Sequence, residues 1–197
     1  MAGNFREDIK KYYRINLNSD KPPIKNKIRM WMFNWGLHCV AVYRFKVFAS
    51  QERRKHWGYG FFLDLLASLL CIIRSFIHHV EIEAEIGPGF YIGHASNIFI
   101  GKCTIGTNFS VTHNVTIGMG QGENDSLPQI GDNVWVGTGA VLFGGIKLDN
   151  NVSIMPGSVL SKNVPANCLV GGNPGRIINH DYDNQHMFNK YFYSSSS

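Results

Sequence analysis

From residue 86 onward, aliphatic residues recur every six positions. They stand at Ile86, Ile92 and Ile98, and after one extra residue they resume at Ile105, Val111 and Ile117. After a longer insertion they run unbroken through Ile130, Val136, Leu142, Leu148, Ile154 and Leu160. A helix repeats every 3.6 residues and a hairpin strand every 2, so neither produces a strict six. A period of six implies short strands meeting at corners, three to a coil, with the aliphatics stacked inside. Twelve such units make four coils. A second inward series is expected four positions after each aliphatic, at Ser96, Val115, Val134, Ala140, Ile146, Val152, Ser158 and Val164. Glycine often follows the aliphatic residue, as at Gly87, Gly93, Gly106, Gly118, Gly131 and Gly137. The natural reading is that corners need backbone angles closed to other residues. The polar insertion Gln121–Gln129 cannot sit in the wall and is expected to loop out as an arm.

The first 80 residues are a different material. They hold 14 Lys/Arg against 5 Asp/Glu, a net of +9, whereas residues 81–197 hold 5 against 9, a net of −4. Helical spacing of apolar residues marks Phe5 to Tyr13, Lys27 to Ala49 and Tyr59 to Val80. Asn16–Pro23 is a breaker and Gln51–His56 a charged connection. Three parts are therefore expected: a helical region over 1–80, a coil over 81–179 and a tail over 180–197. Tyr59 to Val80 is nearly long enough to span a bilayer, but Asp64 and Arg74 inside it favour a packed or interfacial helix. The basic, aromatic stretch 27–80 suits peripheral contact with an anionic membrane.

Cys39, Cys71, Cys103 and Cys168 show no CxxC spacing and no disulfide framework. Arg6, Glu7, Asp8, Lys10 and Lys11 stand where a secretory signal needs an apolar core. A cytoplasmic location is expected, with attachment at the inner face of the cell membrane as the refinement that the basic helices suggest. The basic residues form no nucleic-acid module, and no nucleic-acid partner is expected.

Three motifs add a family likeness: Ile86-Gly-Pro-Gly-Phe-Tyr-Ile-Gly-His94, Val115-Thr-Ile-Gly118, and, after the arm, Gly171-Gly-Asn-Pro-Gly-Arg176. From about Tyr12 to Asn179 the chain resembles the hexapeptide acyltransferases, within them the serine acetyltransferase-like branch. The resemblance implies a mainly β fold, a left-handed parallel β-helix behind an N-terminal α-helical region. It also implies a homotrimer, acetyl-CoA as donor, and sites in clefts between neighbouring coils. The hand comes from the family, since most parallel crossovers turn the other way.

His94 and His113 each stand two residues after an aliphatic, 19 apart, so they should stack on adjacent coils about 4.8 Å apart. Acetyl transfer to a hydroxyl needs a base, and imidazole has a suitable pKa. By resemblance His94 is the catalytic histidine, and His113 is a candidate second contact to substrate or oxyanion. The family places an orienting acid at the start of the first coil. Glu81 is the best match, with Glu83 as substitute. For the donor, Thr138 and Pro156 lie one coil apart, with Gly118, Gly120, Gly139 and Gly157 as small neighbours. Lys162 and Arg176 are candidates for the CoA phosphates.

Serine acetyltransferases carry an Asp before the catalytic histidine and an Asp-Arg-His run in the arm; here stand Gly93 and Asp125-Ser126-Leu127. Losing charge partners for an amino acid is costly. The sequence thus suggests a sugar hydroxyl of a surface polysaccharide or its precursor as acceptor, a glycan partner, with serine as the alternative. A carbonic anhydrase-type zinc lyase would need three site histidines, and only His94 and His113 fall in the coil, so no metal is expected. A non-enzymatic scaffold would not need the donor column.

Overall fold

The computed structural model describes residues 2–118 and 127–185. Gly120 and most of the expected arm lie outside the described residues. Four helices come first: α1 (Ala2–Leu17), α2 (Ile24–Phe33), α3 (Trp35–Lys55) and α4 (Trp57–His78). The single helix expected over Lys27–Ala49 is two, because Asn34 breaks it. Its backbone N–H closes α2 on Met30 O at 2.9 Å, while its side chain accepts from Leu37 N at 2.9 Å and caps α3. The connection expected at Gln51–His56 is the last turn of α3, and His56 alone separates it from α4.

Short strands follow: β1 (Val80–Ile82), β2 (Glu85–Ile86), β3 (Tyr91–Ile92), β4 (Ile98–Ile100), β5 (Thr104–Ile105), β6 (Ser110–Val111) and β7 (Thr116–Gly118). Beyond the insertion come β8 (Gln129–Ile130), β9 (Trp135–Val136), β10 (Val141–Phe143), β11 (Lys147–Leu148), β12 (Ser153–Ile154), β13 (Val159–Leu160), β14 (Leu169–Gly171) and β15 (Arg176–Asn179). They form a left-handed β-helix of three parallel faces. The first is β1-β4-β7-β10-β13, the second β2-β5-β8-β11, and the third β3-β6-β9-β12-β14 with β15 added antiparallel. The coil thus extends past the twelve units of the repeat at both ends, and Gln129 belongs to the wall rather than to the arm. The repeat's aliphatics are buried, stacked in register such as Ile92–Val111–Val136–Ile154–Val170. The second inward series is buried too, except Ser96, which is exposed in a turn closed by its N–H on His94 O. Trp135, on the third face, is only 9% exposed.

The corners are built differently from the glycine expectation. None of the six glycines that follow an aliphatic lies in the left-handed region. The left-handed positions stand three before the next inward aliphatic, where Gly89, Gly139 and Gly157 share the work with asparagines: Asn108, Asn133, Asn151 and Asn167 have φ of +59°, +55°, +60° and +57°. Their amides form a ladder, each Nδ2 donating to the next Oδ1 at 2.8, 3.0 and 2.8 Å. Asn tolerates this conformation, and its side chain adds a bond between coils. Most of the six glycines serve close approach. A Cβ on Gly106 would lie 2.4 Å from Asp132 Oδ1, and one on Gly137 would lie 2.7 Å from Pro156 N.

The first rung has no coil beneath it, so its backbone groups would be orphaned. The helices supply side chains in their place. Asp8 Oδ1 accepts from Phe90 N at 2.7 Å. The Tyr12 hydroxyl accepts from Ile92 N at 3.0 Å and donates to Ile92 O at 3.2 Å. Tyr43 does the same for Ile86 N and Ala84 O, both at 3.0 Å. Arg44 donates to Ile86 O and Gly87 O at 2.6 Å each and is paired with Asp8 at 2.7 Å. Lys11 donates to the carbonyls of Gly89, Asn108 and Phe109. Burial pushes the Lys11 ammonium well below the usual lysine range, against the opposing pull of Asp8.

Candidate active site

The corner between the third face and the first carries the candidate chemistry. The register of β3, β6, β9, β12 and β14 places the residues two after each inward aliphatic in one column. That column reads His94, His113, Thr138, Pro156 and Gly172. The structure thus brings four of the expected residues onto one edge. His94 is exposed and His113 half-buried, with ring centroids 5.7 Å apart and planes at 78°. The edge of one imidazole meets the face of the other. His113 Nδ1 is buried without a hydrogen-bond partner among the described residues, a costly state. His113 O accepts from Gly139 N at 3.1 Å, and Thr138 O accepts from Gly157 N at 2.8 Å, which fixes the turns. Thr138 Oγ1 donates to Thr112 Oγ1 at 3.1 Å, and Thr112 Oγ1 donates to Val136 O. Thr112, next to His113, was missed in the sequence because nothing in the six-residue period distinguishes it.

Upward from the histidines the corner is open. Gly139 and Gly157 have φ of +71° and +70°. A Cβ on Gly157 would meet nothing within 4 Å, and one on Gly139 would meet only Gly157, at 3.9 Å. An extended ligand chain can lie against this backbone. Arg176 is paired with Gly171 and so adjoins the top of the column. Lys162 stands beyond the far end of β13, at the corner leading to the second face, and is exposed. Gly118 ends β7 opposite Phe143, also at that far corner. Gly120 lies outside the described residues.

Glu81 lies on the outer side of the first face opposite Phe99. Its Oε1 accepts from Ser75 Oγ at 3.0 Å. Among the described residues no hydrogen bond joins Glu81 or Glu83 to His94. Nor does any group of three or more His, Cys, Asp and Glu side chains among them come together as metal ligands would. Sequence reasoning also missed Asp8, Lys11, Tyr12, Tyr43 and Arg44. Asp8, Lys11 and Tyr12 share one face of α1 at i, i+3, i+4 spacing, a pattern that the charged face of any amphipathic helix can show.

No protein-family model matches the chain. Serine acetyltransferase from Staphylococcus aureus (strain Mu50 / ATCC 700699) is 30% identical over 198 residues, covering 95% of this chain and 86% of the relative. Among solved structures, serine acetyltransferase from Brucella abortus strain S19 in complex with coenzyme A matches with a TM-score of 0.72 and 28% identity, covering 91% of this chain and 68% of that one. The Neisseria gonorrhoeae serine acetyltransferase in complex with serine matches with a TM-score of 0.73 and 26% identity, covering 90% and 69%.

These likenesses overturn the expectation of a sugar hydroxyl and a glycan partner. That expectation weighed the missing charges at Gly93, Ser126 and Leu127 as decisive. It assumed that an amino acid can be held only from those positions, whereas likeness to serine acetyltransferases runs through nearly the whole chain, helical region included. The donor expectation stands: acetyl-CoA is the co-substrate, and the open glycine corner fits it. The chain belongs to the serine acetyltransferase family and is an acetyl-CoA-dependent acyltransferase built on a hexapeptide-repeat coil.

Proposed function

We propose that the protein moves the acetyl group of acetyl-CoA onto the side-chain hydroxyl of L-serine, with His94 as general base. The observation that carries this reading is the His94–His113 pair on an open corner, in a chain so extensively similar to serine acetyltransferases. The serine hydroxyl attacks the thioester carbonyl as His94 takes its proton. The tetrahedral adduct then collapses, the C–S bond breaks, and the imidazolium returns the proton to the departing thiolate. His113 contacts the acceptor or the developing oxyanion through the part of its half-buried ring that faces the open corner. The pantetheine arm lies along Thr138–Gly139 and Pro156–Gly157, with Arg176 the better placed of the two basic candidates for the phosphates. The reading includes a homotrimer assembled through the coils, for which the first face offers Phe99 and Phe143, 42% and 39% exposed. It also includes a cytoplasmic setting, where the four free cysteines stay reduced.

The test is thiol release from acetyl-CoA by the purified chain with L-serine, with O-acetylserine identified as product. Saturable turnover is expected. His94→Ala should lower it by roughly 10²–10⁴-fold without unfolding the coil, because His94 is exposed. No turnover with serine, or full activity of His94→Ala, overturns the reading.

A further inference from the structure

The outward half of α4 is apolar without interruption. Phe62, Leu65, Leu69, Ile72 and Phe76 are 70%, 58%, 52%, 65% and 84% exposed. At about 100° per residue, the exposed residues from Phe61 to Ile77 sweep about 160° of the helix, and none is polar. The two charges within α4 both point the other way. Asp64 is held by Lys46 at 2.8 Å and Arg53 at 2.7 Å, and Arg74 donates to Val80 O at 3.1 Å. α4 is long and apolar enough to cross a membrane, yet only 22% of its most apolar window is buried. The chain by itself therefore does not bury it.

Width and charge indicate what covers this face. A single coiled-coil partner helix covers a narrow seam of two positions in seven, and this face is much broader. Its exposed start is basic and aromatic: Arg53, Arg54, Lys55 and His56 lead into Trp57, 86% exposed, and Tyr59. Aromatic rings and cations at the border of an apolar surface match the headgroup layer of a bilayer. The excess of positive charge is confined to the helical region, while residues 81–197 are net negative. Only one side of the molecule is therefore drawn to anionic lipid.

We propose that α4 is a membrane-docking helix, lying lengthwise in the surface of an anionic phospholipid bilayer with Phe62, Leu69, Ile72 and Phe76 among the acyl chains and Arg54–His56 among the phosphates. Asp64 and Arg74, turned into the protein, stay out of the hydrocarbon. The coil and its histidine corner remain on the aqueous side. The inference is independent of which acceptor the enzyme uses.

The test is flotation of the full chain with vesicles of phosphatidylcholine alone and of phosphatidylcholine with phosphatidylglycerol. The wild type should float with the anionic vesicles, less so at high salt. Leu65→Glu/Ile72→Glu should bind at least about tenfold less, with acetyl transfer in vesicle-free solution and mass by light scattering unchanged. Arg54→Glu/Lys55→Glu should lose the preference for anionic over neutral vesicles. Failure of the wild type to float with anionic vesicles overturns the proposal, as does undiminished flotation of Leu65→Glu/Ile72→Glu. A wild type that stays in solution while Leu65→Glu/Ile72→Glu drops to a smaller assembly assigns the face to a second copy of the chain instead.

Discussion

Tyr12 and Tyr43 make the same pair of bonds on different strands, and this sets up a matched experiment. Each hydroxyl accepts from one backbone N–H and donates to one carbonyl of the first rung, at 3.0 to 3.2 Å. Burial pushes both phenols above the usual tyrosine range, so each stays protonated and able to play both parts. Replacing either with Phe keeps the ring, and with it the packing of Tyr12 on Tyr91 at 4.6 Å. What is lost is one net hydrogen bond to a carbonyl, about 0.5–1.5 kcal/mol, and the pairing of a buried N–H, about 1–3 kcal/mol. Tyr12→Phe and Tyr43→Phe should each therefore lose about 2–4 kcal/mol in urea unfolding, less than the total stability of an ordinary domain.

Their catalytic effects should separate. Tyr12 fixes Ile92, two residues before His94, whereas Tyr43 fixes Ile86 on the second face, which leads to Gly87 and Pro88. Loosening the Ile92 edge lets the His94 turn shift. A displacement near 1 Å costs up to about 10²-fold in rate. Tyr12→Phe should accordingly lower kcat by roughly ten- to a hundredfold with a small change in KM, and Tyr43→Phe should leave kcat within about twofold. Equal kcat losses in the two variants would refute the argument that strand-edge anchoring positions His94. Undiminished stability in both would refute the claim that these hydroxyls stand in for a missing coil.

Two further outcomes follow from the same geometry. Asn151→Ala should cost about 2–3 kcal/mol, from the left-handed backbone and the broken ladder, and Asn151→Gly only about 1 kcal/mol, because glycine recovers the backbone part; urea midpoints read the difference. The hydrogen bonds from Lys46 and Arg53 hold the Asp64 carboxyl down to about 2 from an ordinary 3.8, so its contribution is complete above the ordinary value and is lost as pH falls from there toward 2. Thermal midpoints should fall across that window in the wild type, and Asp64→Asn should remove this component of the pH dependence.

The coil was legible because burial imposed a period on the sequence. Ile86, Val111 and Leu142 must each point inward at the same phase of a turn, and neither a helix nor a hairpin strand repeats at six. The histidine column was legible for the same reason, since residues at equal phase stack. What the period could not reveal was anything set by contact between parts distant in sequence. Lys11 and Asn108 are 97 residues apart, and only the assembled fold shows that the ammonium serves a coil carbonyl. Corner chemistry was misread because the glycines after each aliphatic are spaced conspicuously, whereas the left-handed work falls three positions before the next inward aliphatic, to asparagines as Asn108 stands to Val111 and to other glycines as Gly139 stands to Leu142. The acceptor was misread because two or three local charges were set against a likeness running the length of the chain.

The helical region inverts the usual sorting of residues, and both halves of the inversion have physical causes. Asp8, Lys11 and Arg44 are no more than 6% exposed, whereas Phe62 and Phe76 are 70% and 84% exposed. Charge goes inside because the first rung of a coil presents a row of backbone donors and acceptors that an apolar cap would leave unpaired. Arg44 alone answers two carbonyls while neutralising Asp8, which in turn answers Phe90 N. Once α1 and α3 are committed to that edge, α4 packs mainly on α3 and meets the coil only near its C-terminal end, where Arg74 reaches Val80 O and Ser75 reaches Glu81, so its far side has no protein partner among the described residues. An unbroken apolar surface left in water would be an aggregation liability, and the run of residues from Phe61 to Ile77 shows no trace of the lysines or glutamates that usually relieve one. The same cap that completes the coil therefore leaves an uncovered helix beside it, and the proposed docking to a lipid surface would cover that helix without disturbing the bonds that hold Ile92 and the His94 turn in place.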